Sequence, residues 1–340
     1  MGDVKVIGVD LSKSVFQLHG VDAFGKTVLK RKLSRSKFPQ FMAQLGSCLV
    51  GMEACGGGHY WGRTLSGFGH QVRLIAPQFV KPYVKTNKTD QADAEAICEA
   101  LLRPNMRFVA IKTIDQQDVL CVHRARQRLV RARTALANEL RGLLMEFGLV
   151  FPKGLAPLRR GLTLVLGEPQ NDRLTALGRS LFLQLHDELN ELDEKVKGYD
   201  AQILRLHNQC ALSQRLAQIP GIGPVTATAL VATVGDPRGF KNGRQLAAYL
   251  GLVPKECSSG GRRKLLGISK RGDTYLRTLL IHGGRSVVRC LGKKSDRLSV
   301  WTRNLVARRG KNIAAVAVAN KNARRVWALM KDPEHYCLEN

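Results

Sequence analysis

The chain has 340 residues, 44% of them hydrophobic, which suits two or three folded domains with ordinary cores. Its 54 Lys and Arg residues against 27 Asp and Glu give a net charge of +27, and so strong a field attracts polyanions: nucleic acid first, an acidic membrane surface second. The sequence has no apolar run long enough to cross a bilayer, no export signal and no Cys-x-x-Cys zinc pattern, so we expect a cytoplasmic protein with reduced thiols.

Residues 1–110 carry alternating strand and helix patterns. Apolar or alternating runs predict strands at 4–9, 14–19, 27–29, 48–52 and 72–75, and helical spacing predicts helices at 38–45, at 59–68 and from 90 onward. Strands and helices mixed over this length indicate an α/β domain.

Four carboxylates in this region are spaced for metal binding. Asp10 and Glu53 each follow a strand, and neighbouring strand ends lie close in space; Asp90 and Asp93 share one face at a helix start. Mg²⁺ prefers carboxylate ligands, and two-metal phosphoryl transfer needs several that converge. The alternative is structural: Asp90 as a helix N-cap, Asp93 in a first turn that favours negative charge, and Asp10 as a turn cap. Spacing alone leaves both interpretations open.

The middle of the chain, residues 111–212, is predicted to be a long helical coiled-coil region. Apolar spacing predicts one helix over 116–147, a Pro- and Gly-punctuated connection over 151–171, and a second long helix. The second helix carries four heptads of an apolar seam, formed by Phe182, Leu185, Leu189, Leu192, Val196, Tyr199, Ile203 and Leu206. The seam predicts an antiparallel or intersubunit coiled coil, with a pair of core helices in a globular domain as the alternative.

Residues 213–335 are predicted to form a mostly α-helical domain with glycine-rich breaks. The segment 219–226 (IPGIGPVT) has the form of a helix-hairpin-helix turn. Gly221 and Gly223 would let the backbone approach a phosphate, and the helix after Pro224 would offer free N–H groups without reading bases. A tight interhelical turn without a ligand fits the pattern nearly as well.

A basic segment with two serines follows this turn. Six basic residues and one acidic residue lie between positions 255 and 271, and the basic ones are Lys255, Arg262, Arg263, Lys264, Lys270 and Arg271. Such residues hold phosphates and stabilise a phosphoryl transition state, and a hydroxyl of Ser258 or Ser259 could attack phosphorus if its proton were removed. From the residues alone, a flexible basic loop that only grips DNA is the stronger interpretation.

The acidic motifs resemble those of a known family. The segments 8–13 (GVDLSK), 52–56 (MEACG) and 87–94 (NKTDQADA) are similar to the three acidic motifs of the DEDD transposases of circularising insertion sequences, which include the Piv-type DNA invertases. The segment 53–61 (EACGGGHYW) resembles one subgroup of that family. The resemblance implies a RuvC-like, ribonuclease H-type fold for residues 1–110, with Asp10, Glu53, Asp90 and Asp93 as Mg²⁺ ligands.

The C-terminal part extends the resemblance over nearly the whole chain. Residues 219–288 are similar to the second conserved domain of the family, which has a serine directly before a glycine, shortly beyond a Gly-Leu-x-Pro. Ser259 stands at that place, so the resemblance implies that Ser259 is the nucleophile that forms a phosphoserine link to DNA. Ser258 is its neighbour and the alternative nucleophile.

The resemblance implies a transposase or site-specific recombinase that cuts and rejoins donor and target DNA, guided by a structured bridge RNA. It implies a homodimer or homotetramer, for which the heptad seam is a candidate interface, and a place near the bacterial nucleoid. An arginine-rich helix is the expected RNA contact, through Arg124, Arg126, Arg128, Arg131 and Arg133. Three alternatives remain: a hydrolytic Holliday-junction resolvase that has no need of Ser259, a non-catalytic nucleic-acid binder, and a chromatin-like or ribosomal structural protein.

Overall fold

The computed structural model describes residues 3–85, 87, 89–168, 172–292 and 295–332. They form two compact units: the first holds the described residues of Met1–Gln116 and Val234–Lys241, and the second those of Gln117–Thr233 and Asn242–Asn340. Among these residues, no helix is both long and apolar enough to span a membrane. The three-part division at 110 and 212 stays a prediction. Three predicted segments lie partly outside the described residues. They are the third acidic motif at Lys88, the connection at 169–171 and the C-terminal domain at 333–335.

The first unit is built on a six-stranded mixed sheet with the strand order β3-β2-β1-β4-β5-β6. Its strands are β1 (Val6–Leu11), β2 (Val15–Val21), β3 (Thr27–Ser34), β4 (Leu49–Glu53), β5 (Gln71–Ile75) and β6 (Phe108–Val109). β1, β2 and β3 form an antiparallel meander, β4 and β5 run parallel to β1, and β6 is antiparallel to β5. The predicted α/β architecture is confirmed.

Helices cover both faces of this sheet, as a sheet with parallel central strands requires. They are α1 (Phe38–Ala43), α2 (Gly58–Gly67), α3 (Pro77–Val80) and α4 (Asp90–Leu101). On the face of α1 and α2, the rings of Phe16, Phe38 and Trp61 meet edge to face with centroids 4.8 to 5.2 Å apart. On the opposite face, Ile97 and other apolar residues of α4 pack on Val6 and Val21.

The second unit begins with three helices that form one hydrophobic core. They are α5 (Ile114–Met145), whose first residues belong to the first unit, α6 (Leu155–Gly167) and α7 (Ala176–Asn208). α5 and α7 are antiparallel, because Arg126 pairs with Asp200 while Arg133, one heptad later, pairs with Asp193, one heptad earlier. Four of the eight seam residues are buried in this core, and Leu185 and Tyr199 pack against it. Ile203 is buried as well, so most of the seam is covered within the chain.

α6 lies where the sequence predicts an irregular connection. Its apolar residues Leu155, Leu158 and Leu162 recur at helical spacing and pack into the core. Pro157 is in the first turn of the helix, where a proline costs no hydrogen bond, so it does not interrupt the helix. Gly161 is needed because a Cβ at this position would lie 2.2 Å from the ring of Phe151.

The rest of the second unit is helical apart from one hairpin. Its elements are α8 (Ala211–Leu216), α9 (Pro224–Val234), α10 (Gly243–Tyr249), β7 (Pro254–Glu256), β8 (Leu265–Ile268), α11 (Thr274–Arg289), α12 (Arg297–Arg309) and α13 (Lys311–Lys331). α11 and α13 pack backbone to backbone, because a Cβ at Gly284 would lie 2.2 Å from the carbonyl oxygen of Ala315.

Candidate functional site

Asp10 and Glu53 are neighbours at the carboxyl edge of the sheet. β1 and β4 are parallel and in register, with Val9 opposite Met52, so the next residue of each strand is one of the two acids. Carboxyl ends of parallel strands form the edge where α/β folds place their ligands. Both side chains are half-buried. The expected closeness of these two strand ends is therefore confirmed.

Two glycines show that both acids point to the face covered by α4. A Cβ at Gly8 would lie 2.2 Å from the carbonyl oxygen of Ala94, and a Cβ at Gly51 would lie 2.9 Å from a methyl group of Leu101. Side chains two residues apart on a strand point to the same face. Asp10 and Glu53 stand two residues beyond these glycines, so they share the side of the sheet with α4.

The direction of α4 brings its first turn to the same edge. Cys98 contacts the carbonyl oxygen of Val6, whereas Ala94 crosses β1 at Gly8, so α4 runs antiparallel to β1. Continuing this path by one helical turn places the start of α4, with Asp90 and Asp93, beside the end of β1.

Thr89, and not Asp90, caps this helix. The amide of Ala92 donates to the Thr89 Oγ1 at 3.2 Å, and the amide of Asp93 donates to the Thr89 carbonyl at 2.9 Å. The structural alternative for Asp90 as the N-cap is therefore wrong, because the threonine one residue earlier already satisfies the free N–H groups of the first turn. Both aspartates belong to the first turn itself.

The backbone brings the four acids to the same edge of the sheet, on the side covered by α4, but their carboxylates are not gathered around one point. Within the described ranges, no three His, Cys, Asp or Glu side chains lie close enough to hold a metal. The donor set fits a divalent ion such as Mg²⁺, which takes oxygen ligands and keeps part of its water shell.

Cys55 lies near both strand-end acids. Burial raises the pKa of its thiol, and the negative charges of Glu53 and Asp10 raise it further. A thiol that stays protonated does not bind a metal as a thiolate. The carboxylates are therefore better ligands for a hard cation at this site than the thiol of Cys55.

Ser259 lies at the turn of a β-hairpin rather than in an irregular loop. β7 and β8 are antiparallel, and the amide of Arg262 donates to the carbonyl of Ser259 at 3.0 Å. Gly260 and Gly261 between them have φ values of 55° and 73°, which is the left-handed conformation that a tight type I′ hairpin turn requires. The glycine pair therefore explains how a hairpin forms here.

The two serines differ in their surroundings. Ser258 Oγ donates to Glu256 Oε1 at 2.8 Å, and Arg263 pairs with the same carboxylate at 3.3 Å. Ser259 is exposed, and its hydroxyl makes no hydrogen bond within the described part of the chain. Of the two exposed serines, Ser258 is therefore engaged with the carboxylate of Glu256, and Ser259 is not.

The base of the hairpin is held firmly. A Cβ at Gly272 would lie 1.8 Å from the carbonyl oxygen of Tyr249, so only glycine fits there. The buried Arg277 donates to the carbonyls of Leu250 and Arg271 at 3.3 and 3.0 Å. The tip therefore projects from a fixed base. All six predicted phosphate-binding cations of this segment are exposed, namely Lys255, Arg262, Arg263, Lys264, Lys270 and Arg271.

The five predicted RNA-contacting arginines of α5 divide into two groups. Arg126 and Arg133 are half-buried and pair with aspartates of α7, so they are engaged within the protein. Three others, Arg124, Arg128 and Arg131, are exposed and follow one another at four and three residues along one face. The exposed strip is the part of the arginine-rich helix that is open to a polyanion.

The two glycines of the 219–226 turn also have different roles. Gly221 has a φ of 88°, and a Cβ there would lie 2.7 Å from the carbonyl oxygen of Gly283, so Gly221 packs on α11. Gly223 is exposed, and a Cβ there would meet open space. Gly223 is therefore the residue of this turn where a phosphate has room to approach.

Two family models match this chain. Residues 7–148 match the DEDD model of the IS110 group, described as "Transposase", and residues 213–299 match "Transposase IS116/IS110/IS902 family". A Pseudomonas aeruginosa protein described as "Probable family 20 transposase" is 53% identical, covering 95% of this chain and 96% of its own. The "Transposase for insertion sequence element IS1111A" of Coxiella burnetii is 46% identical, covering 99% and 92%. The "Transposase for insertion sequence element IS1328" of Yersinia enterocolitica is 40% identical, covering 97% of each.

The chain belongs to the IS110 family of insertion-sequence transposases.

The matched segments contain the predicted chemical groups of this IS110 transposase. The first, over residues 7–148, contains all four acids and identifies the first sheet as a RuvC-like DEDD transposase domain. The second, over residues 213–299, contains Ser259, the six cations and the 219–226 turn. The expected insertion-sequence family is thereby confirmed, and the family makes the protein a DNA-processing enzyme.

One contact in the first unit of the transposase joins His59 to Lys112. The ring of His59 accepts a hydrogen bond from the Lys112 amide at 3.2 Å, and the Lys112 ammonium lies 3.1 Å from the other ring nitrogen. This contact ties the segment after Glu53 to residues more than fifty positions away. His59 stands in the EACGGGHYW segment, but Lys112 stands in no motif, so only the fold reveals the pair.

Proposed function

We propose that this transposase cuts and rejoins DNA with Ser259 as its nucleophile, and with Mg²⁺ held by Asp10, Glu53, Asp90 and Asp93. The observation that carries the proposal is the position of Ser259 on a firmly based hairpin, with its hydroxyl exposed among six cations. A hydrolytic nuclease would need the carboxylates alone, and it would leave the projecting serine and its diglycine turn without a role.

The reaction conserves the energy of the phosphodiester bond. Ser259 Oγ bonds to phosphorus as its proton leaves to solvent, and the bond from phosphorus to the deoxyribose oxygen breaks, with that oxygen taking up a proton. Joining reverses the step: a sugar hydroxyl of the second DNA attacks phosphorus, and Ser259 recovers its proton. Arg262 and Lys264 would offset the charge of the five-coordinate transition state. A bound Mg²⁺ would polarise the phosphate oxygens.

A guide RNA would bind the exposed strip Arg124, Arg128 and Arg131 on α5. Arginines at this spacing lie on one helix face and suit the phosphate backbone of a structured RNA. Donor and target DNA would bind the hairpin cations and the amide end of α9 at Gly223. A dimer or tetramer would use a surface other than the heptad seam, because the seam is buried within the chain.

The proposal is tested by looking for a covalent protein–DNA adduct. Purified protein is incubated with Mg²⁺, element-end DNA and candidate RNA, and denaturing gels show whether labelled DNA stays attached. We expect an adduct with the natural protein and with Ser258→Ala, no adduct with Ser259→Ala, and none after chelation of Mg²⁺. Ser258→Ala is a matched control one residue away.

The hydrolytic nuclease is the second candidate, because the carboxylates lie at the sheet edge that suits such an enzyme. Cutting that survives Ser259→Ala and leaves no adduct would replace the recombinase proposal with the nuclease. An adduct that persists in Ser259→Ala but not in Ser258→Ala would move the nucleophile by one residue. Binding without cutting under any of these conditions would leave a nucleic-acid binder.

A further inference from the structure

A groove of about 1540 Å³ lies between α10, α12 and α13 and reaches the base of the β7–β8 hairpin. α13 contributes one continuous face to it, with Ile313, Ala317, Asn320 and Arg324 among its members, while the other face of α13 is buried. At one end of the groove, a Cβ at Gly243 would lie 2.9 Å from Arg324 Cα, so α10 and α13 are in close contact. The groove is therefore a fixed feature of the second unit.

Every charged residue that lines the groove is basic. Its cations are Arg244, Arg297, Lys321, Arg324 and Arg325. All residues that line it are among those described, and none of them is acidic. Its volume exceeds the roughly 300–1000 Å³ that suits one small molecule. The groove is thus suited to an extended polyanion.

Two tryptophans line the groove, each with a lysine ammonium over its ring. Trp301 of α12 is 37% exposed, and the Lys321 ammonium lies 4.7 Å from its ring centroid. Trp327 of α13 is the second indole. A duplex hides the faces of its bases, whereas an unpaired strand presents them, and a positively charged groove with aromatic side chains is the usual site for single strands. Charge and aromatic faces together favour a single strand over a duplex.

The groove borders the base of the hairpin that carries Ser259. Pro254, Leu266, Gly267 and Ile268 line it, and they belong to the hairpin that carries Ser259 at its turn. We propose that the groove binds a single strand of DNA that is unpaired beside the phosphate on which Ser259 acts, with one base stacked on Trp301 and phosphates on Arg244 and Arg297. The inference rests on the proposed function in naming DNA as the strand.

Binding is measured with the full Ser259→Ala chain, so that no covalent step contributes. Fluorescein-labelled single-stranded DNA, RNA of the same sequence and the corresponding DNA duplex are titrated at one salt concentration. We expect Trp301→Ala to weaken single-stranded DNA binding by roughly 5- to 100-fold, the range of base–aromatic stacking, and to change duplex binding far less. Trp301→Phe should keep most of the affinity, which separates stacking from a folding defect.

Two exposed residues in the first unit are matched controls. Phe24 is 95% exposed in the turn between β2 and β3, and Lys26 is exposed beside it. Phe24→Ala should leave the binding of single-stranded DNA unchanged, and Lys26→Glu should weaken it much less than Arg244→Glu. Equal effects of Trp301→Ala and Phe24→Ala would overturn the inference, as would tighter binding of RNA than of DNA or equal losses for duplex and single strand. A missing covalent adduct would overturn only the proposed function, because this measurement does not use Ser259.

Discussion

Arg133 of α5 donates to Asp193 of α7 at 2.8 Å, and the Asp193 side chain is only 7% exposed. Arg159 of α6 pairs with the same carboxylate, so one buried acid joins all three helices. A buried carboxylate with two guanidinium partners is stable only while the charges remain together. The middle of the transposase therefore depends on a polar contact at the centre of an otherwise apolar core.

Removal of this acid should destabilise the three-helix core. Asp193→Leu leaves two arginines without their anion, and we expect a loss of about 3–5 kcal/mol in the free energy of unfolding. Denaturant unfolding followed by circular dichroism measures the loss. The control is Glu194→Ala, one residue after Asp193. It removes an exposed ion pair with Lys197 and should change stability little. Similar losses in the two variants would show that Asp193 has no special role.

Stability should fall as the pH drops below 6.5, because the folded chain resists protonation of His123. Burial, with a smaller contribution from the charge of Arg126, lowers the pKa of His123 from 6.5 to about 4. Its neutral ring lies 3.0 Å from both the Tyr275 hydroxyl and Thr228 Oγ1. Because Thr228 donates its own proton to the Pro224 carbonyl, it accepts one from His123 Nε2, and Nδ1 is left to accept from Tyr275.

The sign of the pH dependence follows from these values. Above pH 6.5, His123 is neutral in both the folded and the unfolded chain. Between pH 6.5 and about pH 4, the unfolded chain binds a proton at His123 and the folded chain does not. The free energy of unfolding therefore declines over this range by about 3 kcal/mol from His123. His123→Gln should be less stable at neutral pH but should lose less between pH 6.5 and pH 4. The measurement is the free energy of unfolding of both proteins between pH 6.5 and pH 4. Identical slopes of this free energy against pH would contradict the prediction.

The cysteines should differ sharply in reactivity. Burial raises the pKa of Cys48 and of Cys98 to about 11, whereas Cys121, Cys257 and Cys290 are exposed. Since the thiolate is the reactive form, iodoacetamide at neutral pH should modify the three exposed thiols and spare the two buried ones until the protein unfolds. Peptide mass spectrometry over time measures this order. Early labelling of Cys48 would show that the sheet opens on that side.

The two glycines of the 219–226 turn should respond differently to substitution. Gly221→Ala combines a left-handed φ with a collision against Gly283, and it should destabilise the second unit by about 1–3 kcal/mol or more. Gly223→Ala meets open space, so it should keep the melting temperature and weaken only DNA binding. If Gly223→Ala binds DNA as the natural protein does, this turn contacts no phosphate.

The sequence predicts most of the first unit because its strands and helices are periodic. Asp10 and Glu53 could be placed together, since parallel strand ends meet at one edge. The sequence alone could not show that both acids point toward α4. That direction is known from Gly8 and Gly51, because α4 lies against these two glycines. The Thr89 cap competes with Asp90 for the same position, and local propensity alone cannot separate two good capping residues.

The second unit was less predictable, for three physical reasons. A heptad seam shows that a partner exists but not whether it lies in the same chain, and α5 is that partner. Pro157 suggests a break unless its first-turn position is known. The hairpin of Ser259 is short and highly charged, so it lacks strand periodicity, and Gly260–Gly261 is its one turn signal.

The close contact of α4 with Gly8 and Gly51 has a consequence for how insertion sequences of this family lose activity. The position of Asp90 and Asp93 beside the sheet depends on glycines that face α4. A larger residue at Gly8 would collide with the backbone of α4 and push that helix away from the sheet, whereas one at Gly51 would press on the side chain of Leu101. Under the proposed mechanism, a genomic copy can therefore retain every acid and its serine and still be inactive, so counting intact acids and serines overestimates how many copies can still move.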